Sequence, residues 1–287
     1  MQSLWMIAAS LLFACMGVCV KLGSERFTTG ELVFYRGFIA TLFIGGFIYW
    51  RGLSIRTSHL RAHLKRSLAG FGALVCYFFA ISMIPLATAV TLSYTSPLFL
   101  ALLLVFWLRE AQGLRVHLAL AVGFFGVVLL LQPSLNEHQW FGALLGLASG
   151  MSASIAFLNV RRLGELGEPE WRTVFYFSLF SSIGGLPWVI TSDPWHAIDA
   201  SGWLLLVGVG GFGVCAQWCM TMAYSRGRTL ATAGLTYTTV VFASLFGILI
   251  WGEVLPPLAW FGIALVIAAS IATTLLSARR RPLPASR

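Results

Sequence analysis

The sequence is dominated by unbroken apolar runs separated by short clusters of charge. Each run is about 20 residues, the length that crosses a ~30 Å hydrocarbon core as helix. Inside lipid only helices and closed barrels satisfy their own backbone, and a barrel strand would alternate every second residue. These runs do not alternate, so the chain is expected to be an all-α integral membrane protein. Composition agrees: 58 % of the residues are hydrophobic and 10 % charged, against roughly 45–50 % and about 25 % in soluble domains.

Ten spans are predicted, near 3–22, 30–50, 68–84, 88–108, 116–132, 140–159, 172–191, 202–222, 229–250 and 257–277. Lys and Arg gather on cytoplasmic loops. One side of this chain collects Arg51, Arg56, Arg61, Lys65 and Arg66, then Arg109, Arg115, Arg161, Arg162, Arg172, Arg226, Arg228 and the arginines of the C-terminal tail. The other side holds Lys21 and Arg26, and otherwise Glu25, Glu31, Glu137, Asp193, Asp199 and Glu253. Both termini are therefore expected in the cytoplasm of a bacterial-type inner membrane. This alternation explains the net charge of +9 better than a nucleic-acid surface, which needs one basic patch. Met1–Trp5 holds no basic residue, so a signal peptide is not expected.

The two halves resemble each other. Leu86-Ala87-Thr88-Ala89 recurs as Leu230-Ala231-Thr232-Ala233, and Ser93-Tyr94-Thr95-Ser96 is answered by Thr236-Tyr237-Thr238-Thr239. Phe99 matches Phe242, and Glu110 matches Glu253. Near the start of each half, Val20-Lys21-Leu22-Gly23 aligns with Arg161-Arg162-Leu163-Gly164 and Phe34-Tyr35 with Phe175-Tyr176. The expected units are residues 1–135 and 136–287, the second with a short basic tail. Five spans per unit insert the second copy upside down. Inverted repeats of this kind recur in secondary transporters, with the substrate near the midplane at the repeat interface.

With these features the sequence resembles the drug/metabolite transporter superfamily, specifically its EamA-type members. The resemblance covers the whole chain. It rests on the five-plus-five arrangement, Arg36 in the second span, the stretch Ala87–Pro97 opening the fourth, and the glutamates Glu110 and Glu253 closing the fourth and ninth. The first half lacks the glycine usual before that glutamate. The resemblance implies carrier-type transport of small organic metabolites, such as amino acids and their derivatives or drugs, with export the commoner direction. It leaves the cargo open.

Six residues are candidates for contacting substrate. Arg36 lies well inside a span, where an ionisable group is costly; it either faces the cavity or snorkels to the interface. Tyr94 and Tyr237 hold equivalent repeat positions in hydroxyl-rich runs, suited to lining a cavity or to hydrogen-bonding neighbouring helices. Pro97 breaks the fourth span's ladder, whereas the second half has Val240 there, so any unwinding is expected to be asymmetric. Tyr77 in the third span joins Gln217 and Trp218 in the eighth as an aromatic and amide set, and a buried amide needs a partner. Gly142, Gly146 and Gly150 share one face of the sixth span and read as close helix packing.

No catalytic constellation, metal site or cofactor is expected. Gly208–Gly213 matches a dinucleotide fingerprint in letters but lies within an apolar helix. His59 and His63 lack the glutamate of a zinc motif. The cysteines at 15, 19, 76, 215 and 219 all fall in apolar segments and read as small hydrophobes. No Walker motif is present, so energy would come from a gradient. The expected partners are a small-molecule substrate and the lipid bilayer, with no nucleic acid, in a monomer or homodimer. An enzyme is not expected; a channel or a structural subunit without carrier activity is the competing class.

Overall fold

The computed structural model describes residues 2–84, 86–109, 113–132, 139–191, 196, 198–252 and 254–278. Its elements are twelve α-helices: α1 (Gln2–Gly23), α2 (Thr29–Trp50), α3 (Leu60–Met83), α4 (Leu86–Ser93), α5 (Ser96–Phe106), α6 (Leu114–Leu131), α7 (Trp140–Glu165), α8 (Glu170–Thr191), α9 (Ala200–Arg226), α10 (Thr229–Thr236), α11 (Thr238–Trp251) and α12 (Pro257–Ala278). α4 with α5 makes the fourth span, and α10 with α11 the ninth. Among the described residues, nine stretches are long and apolar enough to cross a membrane. α3 is the tenth span. Its first two turns carry Arg61, His63, Lys65 and Arg66, which dilute its apolar character.

α3, α7 and α9 run several residues beyond the expected spans, and all three overhang at the end that carries the basic loops. That end is called the basic end below. The opposite ends of α2 and α9 are capped by side chains. Thr28 and Glu31 form a reciprocal capping box on α2, and Asp199 accepts from Gly202 N–H on α9. Such caps satisfy amide groups that a helix leaves unpaired at its start.

The packing has the symmetry of the repeat. α1 lies along α9, and α3 along α7. Exchanging the two halves converts one of these pairs into the other. The remaining large contacts, α2 with α8 and α6 with α12, map onto themselves. Both self-mapped pairs lie on the pseudo-two-fold axis, and the odd number of spans per half makes the second copy inverted.

Close approach depends on glycine. A Cβ on Gly150 of α7 would stand 2.5 Å from Thr95 Oγ1 and 3.0 Å from the Leu92 carbonyl. Gly142 and Gly146 likewise meet Met83, Ile84 and Leu92. The three-glycine face is therefore used inside the monomer.

The fourth and ninth spans are both interrupted, the first at Tyr94–Thr95 and the second at Tyr237. The expected asymmetry is absent, because proline is not the cause in both. Pro97 sits in the first turn of α5, where a proline is tolerated. Hydroxyls are common to both breaks. Thr95 Oγ1 donates to the Leu92 carbonyl at 2.5 Å, Thr236 Oγ1 to the Ala233 carbonyl at 2.5 Å, and Thr238 Oγ1 to the Leu235 carbonyl at 2.7 Å. Back-bonding of this type bends helices. Glu110 and Glu253 lie outside the described residues.

Candidate functional site

Arg36 sits roughly 10 Å into α2 from its Thr29 end at 1.5 Å per residue, beside the crossing of α2 and α8. The helices touch there because Gly37 has no side chain: a Cβ would stand 2.7 Å from the Ser182 backbone nitrogen. Next to this contact lies a cavity of about 10 Å³, lined by Arg36, Gly37 and Ala40 of α2, Phe177, Ser178 and Ser181 of α8, and Gly213, Val214 and Gln217 of α9. That is room for about one water.

The walls of this cavity are polar and underused. The Arg36 Nε points at Met16 Sδ, 3.4 Å away, a weak acceptor. Gln217 is 5 % exposed and its Nε2 has no hydrogen-bond partner among the described residues; the same holds for the buried Ser181 hydroxyl. Burying such groups unpaired costs about 1–3 kcal/mol each.

A second arginine converges on the same ring. The guanidinium of Arg66 lies 3.8 Å from the centroid of Phe177, and that of Arg36 lies 5.9 Å from it. The two cations are thus no more than about 10 Å apart. Arg66 is 2 % exposed, and its Nε and Nη1 are unpartnered among the described residues. Gly70, one turn further along α3, leaves the space it fills: a Cβ there would stand 2.6 Å from Arg66 Nη1. Arg66, expected among the cytoplasmic loop charges, is not exposed with them. Its place is inside the bundle, because glycine and aromatic neighbours accommodate the guanidinium.

The six expected residues divide into groups. Arg36 and Gln217 share the cavity. Trp218, next to Gln217, turns to Phe47, with ring centroids 5.2 Å apart. Tyr77 and Tyr94 lie near one another, and Tyr94 faces Thr239 of the other half. Tyr237 is completely buried in the core with Tyr224, its hydroxyl unpartnered. It is not among the residues lining the cavity.

Arg66, Phe177, Ser178 and Ser181 escaped the sequence reading. The repeat itself held the signal for three of them. The register that pairs Phe34-Tyr35 with Phe175-Tyr176 also pairs Arg36 with Phe177, Gly37 with Ser178, and Ala40 with Ser181. The cavity is built from equivalent positions of two halves, cationic on one wall and aromatic with hydroxyls on the other.

Polar networks bridge the two halves beyond the cavity on both sides. At the basic end, Glu168 takes a hydrogen bond from Thr57, binds Arg172 Nη1 at 2.8 Å and His59 Nδ1 at 3.0 Å, and approaches His63 Nε2 at 3.3 Å. Arg172 also donates to the Ser54 carbonyl at 3.0 Å, and Tyr176 to the Ile55 carbonyl at 3.0 Å. Burial works against the Glu168 charge. The hydrogen bonds from Thr57, Arg172 and His59, together with the nearby His63 ring, outweigh that and hold the carboxyl at about 2. The two histidines of the zinc-like spacing thus share a carboxylate.

At the opposite end, Glu31 accepts from the His196 backbone N–H at 2.9 Å and lies 2.9 Å from His196 Nδ1. Arg26 pairs with Asp199 at 3.3 Å and donates to Ser201 at 2.5 Å. The Ser201 hydroxyl, the Gly202 N–H and Arg26 all lower the Asp199 carboxyl below its ordinary range. Exchanging the halves turns the one bridge into the other: the loop between the second and third spans meets that between the sixth and seventh, and the loop between the seventh and eighth meets that between the first and second.

The chain is similar to known proteins. The chain is 30 % identical over 266 residues to the pseudopaline exporter CntI of Pseudomonas aeruginosa (strain UCBPP-PA14), covering 93 % of each. It is 27 % identical to a riboflavin transporter of Vibrio cholerae, over 92 % of this chain and 90 % of that one. An S-adenosylmethionine uptake transporter of Rickettsia felis is 23 % identical over 93 % and 90 %. One crystal structure superimposes with a TM-score of 0.86 at 21 % identity, covering 97 % of this chain and 98 % of that one, which is a match of fold. The profile of the EamA-like transporter family matches residues 1–132 and 140–275; the chain belongs to that family.

Proposed function

We propose that this transporter moves a small organic metabolite across the bacterial inner membrane by alternating access, and that its direction is export. The observation that carries the reading is the cavity between two polar bridges, each joining the first half to the second and each at its own end of the bundle. Opening one bridge while the other holds would connect the cavity to one side at a time. The bridges are related by the pseudo-two-fold, as expected when the two open states are made by the same motion of opposite halves.

The basic end is assigned to the cytoplasm on the strength of its Lys and Arg, which puts both termini there. Relatives named as an exporter and as an uptake transporter support transport and leave its direction to this chain. No acid–base or nucleophilic constellation lines the cavity, which supports a carrier over an enzyme.

The test is flux in proteoliposomes with a panel of labelled metabolites. A carrier gives saturable uptake and counterflow. Flux that stays linear to high concentration would show a channel, and the absence of flux for every compound that binds would overturn the transport reading.

A further inference from the structure

We propose that the cavity beside the α2–α8 crossing takes a carboxylate-bearing organic anion, its carboxylate held between Arg36 and Arg66 and its apolar body against Phe177. The inference rests on the transport reading and names the class of cargo.

Charge is the first argument. Among the described residues no carboxylate pairs with either guanidinium. A buried, unneutralised cation such as Arg66 is strongly unfavourable, and the half-buried Arg36 within about 10 Å adds to that. The carboxylates of the two bridges are engaged elsewhere, Glu168 with Arg172 and the histidines, Glu31 with His196. Arg36 lines the cavity, and Arg66 packs on Phe177 of its wall. An arriving anion therefore meets one cation at once and the second when that wall moves, and neither is paired with a carboxylate among the described residues.

Geometry is the second. Arg66 offers Nε and Nη1 without partners, Gln217 offers Nε2, and Ser181 offers a hydroxyl. Guanidinium forks match a carboxylate's two oxygens. Phe177 lies beside both cations and adds an apolar ring to the cavity wall, so an anion with an organic body fits better than a small hydrated ion. The present cavity of about 10 Å³ is too small for such a molecule. Admitting it requires α2 and α8 to separate at one end, which is the motion alternating access supplies.

The probe is benzoate, with neutral benzamide as its isostere and chloride and inorganic phosphate as small anions, at constant ionic strength. Thermal unfolding of the purified protein is followed by intrinsic fluorescence. Benzoate should raise the melting temperature in proportion to the logarithm of its concentration, and benzamide should not. Arg36→Met and Arg66→Met should each weaken benzoate binding about tenfold or more. They should also raise the melting temperature without ligand, because each removes an uncompensated charge; arginines that merely brace the fold would lower it instead. Arg66→Lys keeps the charge and loses the fork, and should bind benzoate with intermediate affinity.

An equal response to benzamide, or to chloride or phosphate, would overturn the assignment of cargo. Benzoate binding undiminished in Arg36→Met and Arg66→Met would overturn the site. Saturable flux of neutral or cationic compounds without benzoate binding sinks this inference and leaves the carrier reading standing; benzoate binding without flux of any compound does the reverse.

Discussion

The carboxylate of Glu168 binds Arg172 one turn along the chain at 2.8 Å while it also gathers Thr57, His59 and His63 from the other half of the molecule. Glu168 is held at about 2, below the ordinary 4.5. A depressed carboxyl stabilises its bonded form above the unfolded value and loses that stability as pH falls through the folded one. The contribution of Glu168 to the basic-end closure should therefore be fully present above about pH 4.5 and be lost between about 4.5 and 2. Glu168→Gln should loosen it at neutral pH, lowering stability by about 2–3 kcal/mol through lost charge-assisted hydrogen bonds. Thermal unfolding at a series of pH values tests both; a Gln variant as stable as the parent at pH 7 would leave the bridge without an energetic role.

Orientation is read by labelling single cysteines in a background without the five natural ones. Leu60→Cys, at the basic end, should react with an impermeant maleimide only after the cells are opened. Glu25→Cys, at the other end, should react on intact cells. The opposite pattern would invert the topology and the export direction with it.

Gly150→Ala places a methyl 2.5 Å from Thr95 Oγ1 and 3.0 Å from the Leu92 carbonyl. Backbone cannot give way as a side-chain tip can, so overpacking should cost about 1–3 kcal/mol. Gly72→Ala, where a Cβ meets nothing within 4 Å, is the control and should be neutral or slightly stabilising. Equal melting temperatures for the two variants would refute the packing role of the three-glycine face.

Tyr94→Phe and Tyr237→Phe should part company. Tyr94 loses the hydroxyl that faces Thr239 beside the break in the other half, at about 0.5–1.5 kcal/mol. That corresponds to a two- to tenfold change in transport rate. Tyr237 loses a buried hydroxyl without a partner, so its variant should unfold at the same or a higher temperature and transport unchanged. A fall in substrate affinity on Tyr237→Phe would place the hydroxyl at the cargo after all.

Spans were legible because each is a long apolar run, and the inverted repeat because two tyrosines sit in matching hydroxyl-rich segments. Arg36 was legible because a charge inside an apolar run stands out. Arg66 was not: a basic residue at a span end is indistinguishable by counting from a loop charge, and only tertiary packing shows Gly70 and Phe177 making room for it. The two bridges were hidden for a similar reason. Their partners lie over 100 residues apart, as His59 and Glu168 do, and no local pattern records such a pairing. The second helix break lacked its proline, and the threonine hydroxyls that make it are common in any span.

The exchange symmetry of the helix contacts also bears on how the chain is made. α1 finds its main neighbour in α9, and α3 in α7, so both lie against helices not yet synthesised when the first half enters the bilayer. Until then Arg66 lacks the ring of Phe177 and Arg36 the cavity wall that α8 and α9 supply, and the polar faces of α2 and α3 meet lipid or whatever shields them. Neither half is then a complete folding unit. Each is one side of an antiparallel pair, and a first half expressed alone has a second copy of itself, inserted in the opposite direction, as its nearest substitute for the missing partner.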